Sequence, residues 1–252
     1  MEIAQRRARA IAISGDDGAD PVAAAVAGLA TEMIDGQTST FAELLATEDD
    51  GLEQRRLSVL VKPVGDACNL RCRYCANNPD APRAVMPEET LRALTGQLLA
   101  LCPHQATFMF HGGEPLLAGR SFFETAMRLQ RELAGPEQSI RNTIQTNATL
   151  IDEQWAEFLS EHNFRVGVSI DGPPHVHDAN RVDAAGRGTA DRVARSVKIL
   201  QEHGVTPSAI SIINCPPRMT ARELLDYLTG LGITRFRVNP CRNLDGLPCY
   251  AD

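Results

Sequence analysis

At 252 residues, 43% of them hydrophobic, the chain can hold one substantial domain with a buried core and a small extension. A net charge of −7 offers no basic face, so nucleic acid is not an expected partner; no apolar run is long enough to span a bilayer and the N-terminus lacks a signal-peptide core, so no membrane association is expected. Seven cysteines are an odd set, and three of them crowd between Cys68 and Cys75, unlike a disulfide scaffold; free thiols fit a reducing cytoplasm.

Residues 1–55 read as an N-terminal extension, with the main domain over 56–252. Ala-rich Val22 to Ile34 and Phe41 to Ala46 predict two short helices, and Gly15 to Asp20 and Thr47 to Gly51 read as acidic linkers. Two roles stay open for this segment: an ornament on the main domain, or a surface for a partner or substrate peptide.

From Leu57 the pattern alternates between strand and helix. Strands are predicted at Leu57–Val61, Ala106–His111, Ile140–Thr146, Phe164–Asp171, Ala209–Asn214 and Arg235–Asn239. Most are apolar and β-branched or aromatic; Ile140–Thr146 is the most polar. Helices are predicted between them. Pro87 opens the first, with Leu91, Leu94, Leu98 and Leu101 on one side, and Phe122, Ala126, Leu129 and Leu133 mark the second, which stops at Gly135. Asp152 caps the third, which turns Trp155, Phe158 and Leu159 inward. Thr189 caps the fourth, with Val193, Val197 and Leu200 inward. Thr220 and Glu223 form a capping box for the fifth, with Leu224 and Leu228 inward. Six strands and five crossover helices imply a right-handed parallel sheet. Periodicity does not choose between a partial barrel and an open sheet; in both, the C-terminal strand ends carry the active site.

After the first strand comes Cys68-Asn-Leu-Arg-Cys72-Arg-Tyr-Cys75. An iron–sulfur cubane usually takes four thiolates, so a loop offering three leaves one iron open for chemistry. The spacing differs from the paired hooks of zinc ribbons. A zinc site completed by a histidine and three unrelated buried thiols remain as alternatives.

The Cys-x3-Cys-x2-Cys run with Tyr74 before its last cysteine resembles the radical S-adenosylmethionine (SAM) superfamily. Three later segments resemble its anaerobic sulfatase-maturase and peptide-maturase branch: His111-Gly-Gly-Glu-Pro-Leu-Leu117, Gln145-Thr-Asn-Ala-Thr-Leu150, and Val168-Ser-Ile-Asp-Gly172 continuing to His177-Asp-Ala-Asn-Arg181. The similarity runs from residue 57 to about 240. It implies an α/β fold, a partial (β/α)6 barrel of parallel strands, here with a short helical N-terminal extension.

The same resemblance implies a [4Fe-4S] cluster on Cys68, Cys72 and Cys75. SAM would chelate the open iron and be cleaved to a 5′-deoxyadenosyl radical that takes hydrogen from a peptide or protein side chain. A reductant such as flavodoxin or ferredoxin would supply the electron. Tyr74 belongs to the implied cofactor site. Gly112 and Gly113 leave space for close backbone approach to a ligand. Glu114 accepts from the SAM ammonium, Ser169 bonds a ribose hydroxyl, and Arg181 holds the SAM carboxylate as a planar fork. Asn147 and Gln145 face SAM or substrate, and Asp171 contacts the ribose or substrate. Arg71 and Arg73 either offset the cluster's negative charge or are solvated loop residues. His111 lines the pocket, whereas His175 and His177 are expected to face solvent or be structurally bonded. Cys102 and Cys215 read as buried small hydrophobes.

Relatives of this branch continue into a cysteine-rich domain that binds auxiliary clusters. Only Cys241 and Cys249 follow the sixth strand here, so the expectation is a core truncated after that strand, without that domain and without a sixth covering helix. Two further functions are carried beside the maturase reading: a catalytically silent iron–sulfur and SAM-binding module, and a small-molecule radical SAM enzyme.

Overall fold

Apolar side chains at alternate positions commit six segments of the computed structural model to strands; the structure describes residues 32–34, 37–39, 56–102, 104–213 and 218–241. They are β1 (Arg56–Val61), β2 (Gln105–Phe110), β3 (Ser139–Thr146), β4 (Arg165–Ser169), β5 (Ser208–Ile213) and β6 (Phe236–Pro240). They pair in sequence order, and every pair is parallel. Each connection therefore crosses back over one face, through α1 (Glu88–Leu101), α2 (Arg120–Leu133), α3 (Glu153–Glu161), α4 (Ala190–Glu202) and α5 (Ala221–Gly230). The result is a half-barrel with its helices outside, as the resemblance implied.

The ladder register separates the two faces of the sheet. Val61, Phe110, Ile144 and Val166 form one cross-strand row and are all buried against the helices. Leu60, Met109 and Thr143, one residue earlier, form a row on the inner face, where Leu60 and Met109 are exposed. This explains why β3 looked so polar as a sequence. Thr143 and Gln145 point to the inner face, which is not apolar. On the helix side, buried Asn142 exchanges two amide hydrogen bonds with Gln130 of α2, at 2.8 and 2.9 Å. The central outer core is aromatic: Phe123 meets Phe110, Phe122, Trp155, Phe158 and Phe164 with centroid separations of 5.1 to 6.5 Å, mostly edge to face.

Two of the expected caps form as read. The Asp152 side chain accepts from Trp155 N at 2.8 Å, and Thr220 and Glu223 make the reciprocal capping box of α5. Thr189 does not cap α4 with its side chain. Its hydroxyl donates to the Arg181 carbonyl, and Asp178, eleven residues upstream, accepts from Thr189 N and Ala190 N at 2.7 and 2.8 Å instead. In α1, Leu99 is buried beside Leu91 and Leu98, so the inward stripe is wider than the predicted one.

The chain divides into two units, Met1–Leu52 and Glu53–Asp252. Of the first, the described part is a two-stranded antiparallel ladder, Glu32–Ile34 with Gln37–Ser39. The helix expected over Val22 to Ile34 thus ends in strand; the intervening Asp-Gly is a dipeptide that favours hairpins. The rest of that helix, Phe41 to Ala46, both linkers, Asn214, Cys215 and Cys249 lie outside the described residues. No helix among the described residues is long and apolar enough to cross a membrane.

Candidate functional site

The C-terminal ends of β1 to β4 bring the sequence motifs together. After Val61 the chain enters the cysteine loop, which is pinned from two sides. The backbone of Arg71 donates to Val182 O at 2.8 Å and that of Arg73 to Asn180 O at 3.0 Å, tying the loop to the segment before α4. Glu114 N donates to Ala67 O at 2.9 Å, tying the loop entrance to the turn after β2. Arg71 reinforces this locally by donating to the Cys68 and Leu70 carbonyls and pairing with Asp80. Arg73 is exposed.

Gly113 makes the second contact possible. It sits at φ +42°, and a Cβ there would stand 2.1 Å from Ala67 O. The space the two glycines leave is therefore taken by the chain's own backbone and, at Gly112, by the Lys62 stem. The sequence expectation had assigned that space to a ligand.

Glu114 has no exposed surface. Its carboxylate accepts from Leu116 N at 3.1 Å, the Thr146 hydroxyl at 2.8 Å and Asn147 N at 2.8 Å. Burial pushes its carboxyl up to about 7 against these three donors. The expected contact with the SAM ammonium does not fit a side chain so enclosed; Glu114 instead locks the end of β3 to the turn after β2.

Asp171 is likewise fully buried and fully engaged. One oxygen accepts from Arg181 Nη2 at 3.0 Å and from Ile212 N at 2.9 Å, and the other from the Tyr74 hydroxyl at 2.6 Å. It joins β4, β5, the cysteine loop and the pre-α4 segment, and is not free to meet a ribose or a substrate. His177 holds its backbone: Asp171 N donates to Nδ1 at 3.3 Å. The Thr189 hydroxyl donates to Arg181 O and so accepts from His177 Nε2, 3.0 Å away, which makes His177 the Nε2–H tautomer. Burial, then Arg181, brings its pKa down to about 4. His177 is thus structurally bonded and His175 is exposed, the two options expected for them.

Arg181 is 7% exposed and lies over the Tyr74 ring at 5.4 Å. Burial opposes its charge, but the Asp171 carboxylate, bonded to it, holds it protonated. Its Nε is buried with no hydrogen-bond partner among the described residues. Ser169 sits at the inner-face end of β4 and accepts from Gln145 Nε2 at 3.0 Å, while the Gln145 amide lies across Gly167, where a Cβ would collide with it. His111, at the end of β2, is partly buried, and burial and then Lys62 hold its pKa down. Cys102 is fully buried, as read from the sequence.

The donor set fits an iron–sulfur cluster. Cys68 and Cys72 are partly buried and Cys75 is exposed. Burial pushes Cys72 up to about 11, Arg181 pulls it back, and Cys68 and Cys75 add to the rise. Among the described residues no three His, Cys, Asp or Glu side chains converge on one ion. Three thiols would leave one iron of a cubane without a protein ligand, whereas a structural zinc site is closed by four. An orphaned buried guanidinium N–H beside the thiols suits an anionic ligand.

Sequence reasoning missed Asn69, Thr149, Asp178 and the bridging role of Asp171. An Asn or Asp next to a motif residue was the available signal, but their partners come from other strands.

The profile of the Radical SAM superfamily matches residues 63–239. The chain is 39% identical over 177 residues to the cysteine-type anaerobic sulfatase-maturating enzyme of Clostridium perfringens, covering 68% of this chain and 48% of that one. It is 40% identical over 165 residues to the serine-type enzyme of Bacteroides thetaiotaomicron, covering 63% and 40%. Its fold superposes on anSMEcpe with bound AdoMet at a TM-score of 0.72 and 34% identity, over 75% of this chain and 52% of that one. Another structure of anSMEcpe holds AdoMet and the Cp18Cys peptide. The chain thus spans about half the length of these relatives. The matched stretch takes in the cysteine loop and all three later motifs, and the chain belongs to the radical SAM superfamily, whose enzymes use a [4Fe-4S] cluster and SAM.

Proposed function

We propose that residues 56–252 form a radical SAM core that binds a [4Fe-4S] cluster through Cys68, Cys72 and Cys75, binds SAM beside it, and oxidises or crosslinks a side chain of a peptide or protein. The observation that carries this reading is the pairing of a three-thiol loop with a buried arginine whose Nε lacks a partner among the described residues, at the C-terminal mouth of a half-barrel. The cluster with SAM bound supplies reductive cleavage of the sulfonium and, through it, hydrogen abstraction from carbon.

The chain's own residues bind and orient. Arg181 offers Nε to the SAM carboxylate while Asp171 keeps its other end fixed. Ser169, having accepted the Gln145 amide, keeps its own proton to donate to a ribose hydroxyl. Tyr74 supports Arg181 from below. Gly112 and Gly113 let the turn after β2 pack closely on Lys62 and Ala67, at the entrance of the cysteine loop. Cys75 is the exposed thiol and marks the side from which a reductant such as flavodoxin or ferredoxin would deliver an electron. Support for a peptide or protein substrate comes from the sulfatase-maturating relatives and the peptide-bound anSMEcpe structure. Cysteine-type and serine-type relatives match at nearly equal identity, so the reading covers both side chains. Free thiols and a redox cluster favour the cytoplasm.

Anaerobic reconstitution followed by dithionite and SAM tests the reading. The chain should take up iron and sulfide and release 5′-deoxyadenosine slowly. Cys72→Ala should lose colour, iron and product together, because it removes one of three anchors. Retention of both colour and activity in Cys72→Ala would overturn the cluster assignment.

A further inference from the structure

Asn147 was expected to face SAM or substrate, but its amide is committed elsewhere. Oδ1 accepts from Thr149 N at 3.0 Å and from the Thr149 hydroxyl at 2.7 Å. Nδ2 therefore points the other way, donating to Asn69 Oδ1 at 2.8 Å and reaching Cys68 Sγ at 3.7 Å. Asn69 Nδ2 then donates to Thr149 Oγ1 at 2.9 Å and closes a three-residue ring. Rotating the Asn147 amide would set two N–H groups against each other, so the ring fixes which end meets the sulfur. Asn147 is 8% exposed, so water does not compete freely for that donor. Leu70 N donates to the same sulfur at 3.4 Å. Cys68 thus has two N–H donors aimed at it.

Donors on a ligand sulfur stabilise the more negative, reduced state of a cluster more than its oxidised state, and so raise its potential. We propose that Asn147, oriented by Asn69 and Thr149, donates an N–H to the Cys68 sulfur and raises the reduction potential of the cluster, easing entry of one electron from an external low-potential reductant. Asn147 is then a tuning residue rather than a SAM contact, and Asn69 and Thr149 are positioning residues. The inference rests on the cluster reading above.

The test is an EPR-monitored redox titration of the reconstituted full chain, without SAM, for wild type, Asn147→Ala and Thr149→Val. Asn147→Ala should keep wild-type iron and sulfide and bind SAM as before. Its reduction equilibrium should shift about tenfold toward the oxidised cluster, ~59 mV for one electron. Thr149→Val should shift it the same way by less, because the amide loses its orienting hydroxyl and keeps the backbone N–H. An unmoved potential with weakened SAM binding in Asn147→Ala would overturn the inference and return Asn147 to the SAM site. If Asn147→Ala fails to hold iron, Thr149→Val decides, and a wild-type potential there overturns the inference. A wild-type chain that takes up no cluster would sink the cluster reading itself, an outcome distinct from an intact cluster with an unmoved potential.

Discussion

The rim over β1 to β4 and the outer strand β6 belong to one sheet, yet they treat their side chains in opposite ways. At the rim, Glu114, Asn147, Asp171, His177 and Arg181 are all buried, and each is bonded to a different segment of the chain. Along β6, Phe236 and Val238 are exposed at 39% and 45%. The register sets them beside buried Ala209 and Ser211, on the face that helices cover elsewhere. The rim spends buried polar groups on fixing geometry, where one misplaced donor is costly. The edge has little there to misplace. A rim of this kind is built for a ligand, and it predicts steep, atom-specific penalties that β6 should not share.

Asp171→Ala should give the largest penalty. It strips partners from Tyr74, Ile212 N and Arg181 together and leaves a buried guanidinium without its carboxylate. Breaking a buried pair from one side costs about 3–5 kcal/mol. Urea unfolding of the cluster-free chain measures it directly. A loss within about 0.5 kcal/mol, the range of ordinary surface changes, would erase the contrast between rim and edge.

Glu114 sharpens the same contrast through pH. Its folded pKa of about 7 stands above the ordinary 4.5 because of burial. Between those values the folded protein keeps a proton that the unfolded chain has lost. Its stabilising contribution is therefore full below pH 4.5 and lost as pH rises through 7, about 3 kcal/mol across the window. Glu114→Gln should flatten that slope relative to wild type, while losing one hydrogen bond whichever way its amide turns. Parallel stability curves for the two proteins between pH 5 and 8 would show that the carboxyl titrates normally.

These residues also mark where the sequence stops being legible. The six strands of the main domain were readable to within a residue or two, and its helices between them, because apolar spacing and caps act locally: Asp152 reaches three residues, and so do Thr220 and Glu223. The cysteine loop was readable for the same reason, since its chemistry lies within eight positions. The rim's bonds are not local. Tyr74 and Asp171 are 97 residues apart, and Asn147 reaches Asn69 across 78. A motif residue could be recognised as belonging to the site, but whether its polar atoms faced a ligand or another strand depended on packing that no local rule records. Glu114 and Asp171 were read as ligand contacts for that reason, and Thr189 was read as a cap that Asp178 supplies from eleven residues away.

The smallest effect comes from one substitution made at two places. Val168 and Val238 lie on the helix-side face of the sheet, Val168 fully buried and Val238 45% exposed. Threonine has nearly the same shape and keeps the β-branch, so strand propensity changes little. What changes is a hydroxyl in place of a methyl. In Val168→Thr that hydroxyl meets an apolar core and should cost about 1–3 kcal/mol. In Val238→Thr water can bond it, and stability should stay within about 0.5 kcal/mol of wild type. Equal losses at both sites would mean that the outer face of β6 is covered in solution by chain beyond the described residues or by another molecule, and the edge would then be as closed as the rim.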